Sequence, residues 1–348
     1  MRLWYERQLT PRKHNRFWEL FKIESCSASK ALVMLAMNET GLVQELQSIS
    51  GLRVKVSEPL ARYTSIKVGG PADYFIDVES ENALAQLLSL LSLRGMPFCL
   101  LGNGSNVLIS DLGVEGVLIH LVGDFKHAEW HEQANESWVE AGAAQAVTQL
   151  VRQAARRGYG GLEFAEGIPG SVGGALVMNA GAYGSEFEKV VDTVYGMTQQ
   201  GSPLQFNREQ MRFTYRDSHL PQGTVVTRVR LSVHRQELSK VSMKVRELVT
   251  KRKSSQPSGY PNSGSMFRNP PDDYAGRLVE AAGLKGKQIG RAQISPKHGN
   301  FIVNLGGASA EDVRRLMELA RAEVNAQFGV VLNPEVKLIG RWPSAKAE

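Results

Sequence analysis

Three glycine-rich segments of this 348-residue chain have the composition of backbone anion sites. They are GGPA at residues 69–72, LGNGSN at 101–106, and GIPGSVGG at 167–174, the last followed by NAGAYG at 179–184. Glycine lets backbone N–H groups approach a ligand closely, and successive N–H groups form a concave site for phosphate. Any one loop alone is better explained as a tight turn. Three loops, each with Ser, Thr or Asn in or beside it, favour a large phosphorylated cofactor.

Four further segments carry polar residues that could do chemistry. They are FTYRDS at residues 213–218, GSMFRNP at 264–270, KHGNFIVN at 297–304 and LNPEV at 332–336. Each also has an interpretation without chemistry, because Arg216 could pair with Asp217 on the surface, Ser265 could be a turn residue, and Glu335 could be solvated. Taken one by one, these segments leave both interpretations open.

The two common nucleotide-binding motifs are not present. Val107 occupies the position of the last glycine in G-x-G-x-x-G, which disfavours a Rossmann site. The segment GLKGKQ at residues 283–288 fails the P-loop pattern, because Ala281 replaces the upstream glycine and Gln288 replaces Ser or Thr. An ATPase site of that type is therefore disfavoured as well.

Hydrolase and metal motifs are also missing. No G-x-S-x-G elbow surrounds Ser265, and the seven histidines form no H-E-x-x-H. His127 and His131 lie four residues apart, but the residues between them suggest no third ligand. The two cysteines, Cys26 and Cys99, cannot build a disulfide framework or a four-thiolate zinc site, so we expect a reduced, cytoplasmic setting.

The elements that must position these segments alternate unevenly between helices and strands. Ser80 begins a helix that Gly95 ends, and an S-x-x-D capping pattern begins the last helix at Ser309, which Gly329 closes. The remaining expectations are a short buried strand at residues 98–101, a helix ending at Gly158, an alternating strand at residues 224–233, and a helix at residues 241–253. The pattern predicts an α+β fold with a boundary near residues 233–237.

The helix at residues 241–253 ends in three consecutive basic residues, Lys251, Arg252 and Lys253. Cations at a helix C-terminus complement the helix dipole, and this is the simpler explanation. Binding of a ligand phosphate is the alternative. The sequence leaves both open.

Composition restricts the class of protein. The chain has 41 Lys and Arg residues against 35 Asp and Glu residues, giving a net charge of +6, and 42 % of its residues are hydrophobic. It is therefore too apolar to be disordered, and no apolar run approaches the ~18 residues of a membrane helix. The mild positive charge suits an anionic small ligand as well as nucleic acid. Residues 1–37 are basic and lack the pattern of a secretory signal, so they are assigned to an extension without a role.

Taken together, the motifs resemble the UDP-N-acetylenolpyruvoylglucosamine reductase family, flavoenzymes of peptidoglycan precursor synthesis. The matching segments, in the family's order, are YT and GGPA at residues 63–72, LGNGSN at 101–106, GIPGSVGG and NAGAYG at 167–184, YRDS at 215–218, GSMFRNP at 264–270, AAGLKG at 281–286, HGNFIVN at 298–304 and PEV at 334–336. They cover about residues 59–340. Only 49 positions separate Arg216 from Ser265, so the chain resembles the branch that lacks an extra tyrosine-bearing loop.

The resemblance implies an α+β fold with a two-subdomain FAD-binding unit of the vanillyl-alcohol-oxidase (PCMH) type and a smaller α/β substrate-binding domain. The expected limits are an N-terminal extension and lead-in at 1–57, FAD-binding subdomains at 58–120 and 121–235, the substrate-binding domain at 236–328, and a C-terminal return segment at 329–348 that carries Glu335 to the cleft. Non-covalent FAD and NADPH are the implied cofactor and reductant, and no metal is expected.

The resemblance also implies a reaction and its catalytic residues. Reduced FAD would deliver a hydride to the enolpyruvyl group of UDP-N-acetylglucosamine enolpyruvate, giving UDP-N-acetylmuramate. Arg216 and a protonated Glu335 would stabilise the enolate, and Ser265 would donate the proton.

The binding residues that the resemblance implies fall into two sets. Expected FAD contacts are Thr64, Gly102, Asn103, Gly104, Ser105, Asn106, Gly167, Ile168, Pro169, Gly170, Val172 and Gly173. Expected substrate contacts are Tyr215, Asn269 and Asn300. Arg291 departs from the small residue expected at its position, and the N-terminal extension has no counterpart in the family.

Two other functions compete with this one. The first is another flavin oxidoreductase of the same cofactor fold; many of these hold FAD covalently through His or Cys, and residues 102–108 contain neither. The second is a flavin-free protein that binds anions or nucleic acid, whose affinity for nucleic acid would fall steeply with salt. We expect neither nucleic acid nor membrane as a partner.

Overall fold

The computed structural model describes residues 41–134 and 136–343. Most of the predicted N-terminal extension, and the last five residues of the return segment, lie outside the described residues. The chain divides into two compact units, Met1–Ser48 and Ile49–Glu348. In the first, residues 41–48 form helix α1. All elements below belong to the second unit.

The first sheet carries the loop of residues 101–106. Its strand order is β1-β2-β5-β3, with β1 antiparallel to β2 and the other neighbours parallel. The strands are β1 (Leu52–Pro59), β2 (Pro71–Val78), β3 (Phe98–Leu100) and β5 (Val114–Leu121). Helix α2 (Glu81–Leu93) connects β2 to β3, and the Ser80 hydroxyl caps its N-terminus as predicted. β3 agrees with the strand predicted at residues 98–101, although its side chains are half-buried rather than buried.

The second sheet is antiparallel and carries the loop of residues 167–174 on one side. Its main path is β12-β11-β13-β7-β6. The strands are β6 (Ala128–Glu132), β7 (Ser137–Gly142), β11 (Val191–Met197), β12 (Pro203–Asn207) and β13 (Val225–Arg235), with the short β8 (Tyr159–Gly160) paired to β13. β13 confirms the predicted alternation, since Val225, Thr227, Val229, Leu231 and Val233 are all buried.

Three helices and one short hairpin accompany the second sheet. They are α3 (Val147–Arg156), α4 (Val172–Val177), α5 (Leu238–Ser255), and the hairpin β9 (Gly181–Ala182) and β10 (Ser185–Glu186). Helix α4 lies on β7 and β13. Helix α5, which the sequence prediction places in the substrate-binding domain, lies against α3.

The third sheet packs with two helices. Its antiparallel order is β14-β17-β16-β15, formed by β14 (Asn262–Ser265), β15 (Gln288–Ile289), β16 (Ala292–Ile294) and β17 (Phe301–Asn304), with helices α6 (Ala275–Ala281) and α7 (Ala310–Phe328). Helix α7 has the predicted capping box of Ser309 and Asp312 and ends at Gly329 with φ +67°. Buried residues of both helices and this sheet form one apolar cluster.

Arg291 fastens the turn between β15 and β16. Its guanidinium donates to the carbonyl oxygens of Leu305 and Gly306, both at 3.0 Å, and its N–H donates to Asp312. Arg291, where the sequence analysis expects a small residue, therefore has a structural role.

The chain finally returns to the first part of the fold. Strand β18 (Lys337–Ile339) pairs in parallel with β4 (Val107–Ile109), which directly follows the loop of residues 101–106. This pairing places residues 332–336 between the third sheet and that loop.

Candidate active site

A cleft of about 520 Å³ lies where the two glycine loops meet the third sheet. Residues 102–106 and residues 168–171 both line it. Arg216, Ser265 and Glu335 all line the same cleft, although they come from segments far apart in sequence.

The loop of residues 102–106 presents an uninterrupted row of backbone donors. Within the described part of the chain, none of the five N–H groups of residues 102–106 donates a hydrogen bond to a protein atom. Gly104 has φ +60°, and a Cβ there would lie 2.1 Å from the Tyr63 carbonyl oxygen, so only glycine fits. A row of free N–H groups along a cleft has the chemistry of a pyrophosphate site.

The second glycine loop packs directly on the first. The Ser105 hydroxyl donates to the Pro169 carbonyl oxygen at 3.0 Å, and a Cβ on Gly170 would lie 2.8 Å from the same hydroxyl. A Cβ on Gly102 would lie 2.6 Å from the Ser171 hydroxyl, which caps α4. The glycines therefore allow two loops to form one continuous wall, and this wall fits a bound dinucleotide such as FAD.

Arg216 reaches the cleft from a strained turn. Its backbone has φ +60°, which is uncommon outside glycine. Its Nε donates to Oε1 of Glu335 at 3.1 Å, its Nη2 donates to the Gly181 carbonyl oxygen at 3.4 Å, and its guanidinium lies 4.9 Å from the centre of the Tyr215 ring. Its remaining N–H groups are available for a carboxylate in the cleft.

Glu335 is held by its backbone between the end of β14 and the loop of residues 102–106. Its N–H donates to the Met266 carbonyl oxygen at 2.8 Å, and its carbonyl oxygen accepts from the Asn106 amide at 3.2 Å. Burial raises the pKa of the Glu335 carboxyl above its usual value, and the nearby Arg216 and Arg268 only partly oppose this. The direction agrees with the protonated carboxyl expected from the sequence.

Ser265 ends β14 and is paired with Phe301 of β17. Across residues 41–134 and 136–343, its hydroxyl has no hydrogen-bond partner. Ser263, two positions earlier, instead donates to the Val107 carbonyl oxygen at 3.2 Å. Of these two serines in β14, Ser265 therefore has the hydroxyl that is free to act on a ligand.

The structure brings most of the predicted FAD contacts to the cleft. The residues that line it are Gly102, Asn103, Gly104, Ser105, Asn106, Ile168, Pro169, Gly170 and Gly173. The others predicted, Thr64, Gly167 and Val172, do not line it. Thr64 is buried and its hydroxyl donates to the Val68 carbonyl oxygen at 2.9 Å, so it holds a turn behind the loop of residues 102–106.

The three predicted substrate contacts lie outside the wall of the cleft. The Asn300 side chain is buried and bonds both the N–H and the carbonyl oxygen of Phe267, at 2.9 and 2.8 Å. The Asn269 side chain accepts from the Ala275 N–H at the start of α6. Tyr215 is exposed and its hydroxyl accepts from the Asn269 N–H at 3.4 Å.

Sequence reasoning did not place His120, Ser171 or Lys337 in the site, and it left Arg252 open as a phosphate ligand; all four residues line the cleft. Ser171 lies inside the GIPGSVGG segment, and this motif is the signal that marks it. Arg252 belongs to the basic run at the end of α5, where the dipole explanation also applies. Burial lowers its pKa, and its guanidinium approaches Gly167, where a Cβ would lie 2.6 Å from its Cδ. No local pattern marked His120 or Lys337.

Neither a metal site nor a membrane-spanning helix is found among the described residues. In the described ranges there is no group of three or more His, Cys, Asp or Glu side chains that could hold a metal ion. None of the helices formed by residues 41–343 is both long enough and apolar enough to cross a membrane.

Two family models match the chain. The model described as "UDP-N-acetylenolpyruvoylglucosamine reductase, C-terminal domain" matches residues 256–339. The model described as "FAD binding domain" matches residues 72–206. The first matched region contains the third sheet and the part of the return segment up to residue 339. The second contains the glycine loops of residues 101–106 and 167–174.

Curated relatives and a solved structure match most of the chain. UDP-N-acetylenolpyruvoylglucosamine reductase 2 of Symbiobacterium thermophilum is 43 % identical, covering 84 % of this chain and 94 % of the relative. The reductase of Myxococcus xanthus is 41 % identical, covering 87 % and 97 %. The crystal structure of UDP-N-acetylenolpyruvylglucosamine reductase from Thermus caldophilus matches with a TM-score of 0.70 and 37 % identity, covering 83 % of this chain and 98 % of that one.

Proposed function

Because this chain belongs to the UDP-N-acetylenolpyruvoylglucosamine reductase family and is an FAD-dependent oxidoreductase, we propose that it reduces UDP-N-acetylglucosamine enolpyruvate to UDP-N-acetylmuramate with NADPH. The observation that carries the proposal is the convergence of Arg216, Ser265 and Glu335 on one cleft beside a row of free N–H groups. We place the reaction in the cytoplasm, where NADPH and the nucleotide sugar are both available.

The first part of the proposal concerns the role of FAD and the residues that would hold it. When bound, FAD would supply the redox chemistry, namely hydride transfer from NADPH to the vinyl CH₂ carbon of the substrate. The N–H groups of residues 102–106 and the loop of residues 168–171 would hold its pyrophosphate and its rings. Residues 102–108 contain no His or Cys, so we expect FAD released by acid precipitation.

Arg216 and Glu335 would act on the substrate carboxylate. Hydride addition to the CH₂ carbon leaves the neighbouring carbon and the carboxylate with enolate character. The planar guanidinium of Arg216, already fixed by Glu335 and Gly181, can donate two parallel hydrogen bonds to that carboxylate. Glu335 can donate a third in its protonated form, which its raised pKa favours.

Ser265 would complete the reaction by protonating the enolate carbon. Its hydroxyl has no competing protein partner within the described chain and faces the cleft. A serine hydroxyl is a weak acid, so this transfer needs a strongly basic acceptor and a short approach. The resulting alkoxide would regain its proton from solvent, because Ser265 is only half-buried.

Anaerobic half-reactions test the proposal. We expect NADPH to bleach the flavin absorbance band, and UDP-N-acetylglucosamine enolpyruvate to restore it rapidly. A band that bleaches but does not recover with this substrate would favour another flavin oxidoreductase of the same fold. A preparation without a flavin band, even after FAD is added, would refute the proposal.

A further inference from the structure

A buried charged cluster reaches the cleft from the first sheet. Asp77 of β2 is 6 % exposed and accepts hydrogen bonds from Lys55 Nζ at 2.8 Å and from Nδ1 of His120 at 2.7 Å. Asp77 and His120 are directly paired across β2 and β5. The His120 ring lies beside Phe75 and Tyr63, with centroid distances of 5.5 and 5.9 Å, and it lines the cleft.

The cluster determines which nitrogen of His120 faces a ligand. Burial opposes ionisation of Asp77, but the hydrogen bonds from Lys55 and His120 outweigh it, so the pKa of Asp77 lies below its usual value. An ionised carboxylate only accepts hydrogen bonds, so Nδ1 of His120 carries the proton. Nε2 is then the ring nitrogen left for a ligand. It has no partner within residues 41–134 and 136–343.

The position of His120 along the cleft identifies the part of the cofactor it faces. His120 belongs to β5, and its neighbour Ile119 pairs with Leu100 at the end of β3. Because Gly102 follows Leu100 by two residues, His120 lies near the Gly102 end of the row of free N–H groups. The other end is Asn106, bonded to Glu335 beside the proposed reacting groups. If the row holds the pyrophosphate, the isoalloxazine lies towards Glu335 and the adenosine towards His120.

We propose that His120 binds the adenosine half of FAD through a hydrogen bond at Nε2. Asp77 and Lys55 are positioning residues that fix the ring and its tautomer. The proposal rests on the FAD-dependent function given above and adds a residue that discriminates FAD from FMN, since FMN lacks the adenylate.

The test compares the binding of two flavins to the full-length protein after flavin removal. His120→Phe keeps a ring against Phe75 and Tyr63 but removes both nitrogens. We expect the dissociation constant for FAD, measured by quenching of flavin fluorescence, to rise about tenfold. The dissociation constant for FMN should stay within about twofold of the wild-type value.

Two further variants make the result decisive. His127→Phe changes an exposed histidine outside the cleft and should alter neither constant. Asp77→Asn lets the imidazole turn or change tautomer, so it should weaken FAD alone, by a smaller factor, and it tests the proposal even if the Phe variant folds poorly. Equal weakening of FAD and FMN, or no weakening of FAD, would overturn the role of His120 while leaving the proposed function intact. Failure of the wild-type protein to bind either flavin would instead refute the proposed function.

Discussion

Replacing Ser265 by Ala should slow the reaction and leave the free energy of unfolding nearly unchanged. Replacing Ser263 by Ala should lower the free energy of unfolding and leave the reaction rate nearly unchanged. The two serines belong to the same strand, β14. The Ser265 hydroxyl makes no hydrogen bond in the described structure, so its loss should change the free energy of unfolding by less than ~0.5 kcal/mol. The buried Ser263 hydroxyl bonds the Val107 carbonyl oxygen, and its loss should cost about 1 kcal/mol.

For the reaction rate we expect the larger effect from Ser265→Ala and the smaller effect from Ser263→Ala. A positioned proton donor contributes roughly 10²–10⁴-fold to a rate. Ser265→Ala should therefore slow the return of the oxidised flavin band by about that factor after UDP-N-acetylglucosamine enolpyruvate is added. The rate at which NADPH reduces the flavin in this variant should stay close to the wild-type rate, because that step needs no proton from Ser265. Ser263→Ala should keep both half-reactions.

The assay combines anaerobic stopped-flow absorbance for each half-reaction with urea unfolding of each variant. Equal losses in the two half-reactions of Ser265→Ala would show that the hydroxyl supports cofactor or ligand binding in general and would remove it from the role of proton donor. A loss of more than about 1 kcal/mol in its stability would show that the hydroxyl has a structural partner, contrary to the geometry.

Three other perturbations give distinct outcomes. Arg216→Lys keeps the charge but loses the bidentate fork and the bond to Glu335, so steady-state turnover should fall by roughly 10²-fold; wild-type turnover would show that the fork is not needed. Asn300→Ala removes two buried hydrogen bonds to Phe267 and should cost about 2–3 kcal/mol in urea unfolding with little change in KM, whereas a substrate contact would show the reverse. Glu335→Gln removes a carboxyl whose folded pKa is raised, so wild-type stability is fully present below the unfolded pKa of Glu335 and declines as pH rises through the folded value. Unfolding from pH 4 to pH 8 should therefore shift progressively in favour of the variant, and a shift towards the wild type would contradict the raised pKa.

Local signals predicted those parts of the fold that local interactions determine. Ser80 and Ser309 cap helices through bonds to residues three positions later, and a sequence pattern reports such bonds directly. The alternation of β13 was equally clear, because one of its faces is buried along most of its length. The limits between domains depend on contacts between distant segments, and α5 lies against α3 although the boundary expected near residues 233–237 precedes it.

Side-chain roles in the cleft could not be derived in the same way. Asn300 and Thr64 lie in motifs of the family, but their side chains bond backbone groups of Phe267 and Val68 rather than facing the cleft. A match to a motif does not show whether the side chain at a given position contacts a ligand or forms a hydrogen bond that stabilises a loop. His120 was missed for the converse reason, since only the pairing of β2 with β5 brings it to Asp77 and the cleft.

The return segment explains how distant motifs become one site. Glu335 bonds Met266 through its N–H and Asn106 through its carbonyl oxygen, and the Lys337 N–H donates to the Asn106 carbonyl oxygen at 3.0 Å. The residue next to Ser265 is thus tied, through the backbone of Glu335, to the last residue of the free N–H row. Any displacement of β14 from the glycine loop must break one of these bonds, so the backbone of residues 335–337 sets the distance between the proposed proton donor and the loop of residues 102–106. These bonds use only backbone groups of Glu335, so its carboxyl can bind Arg216 and the substrate carboxylate.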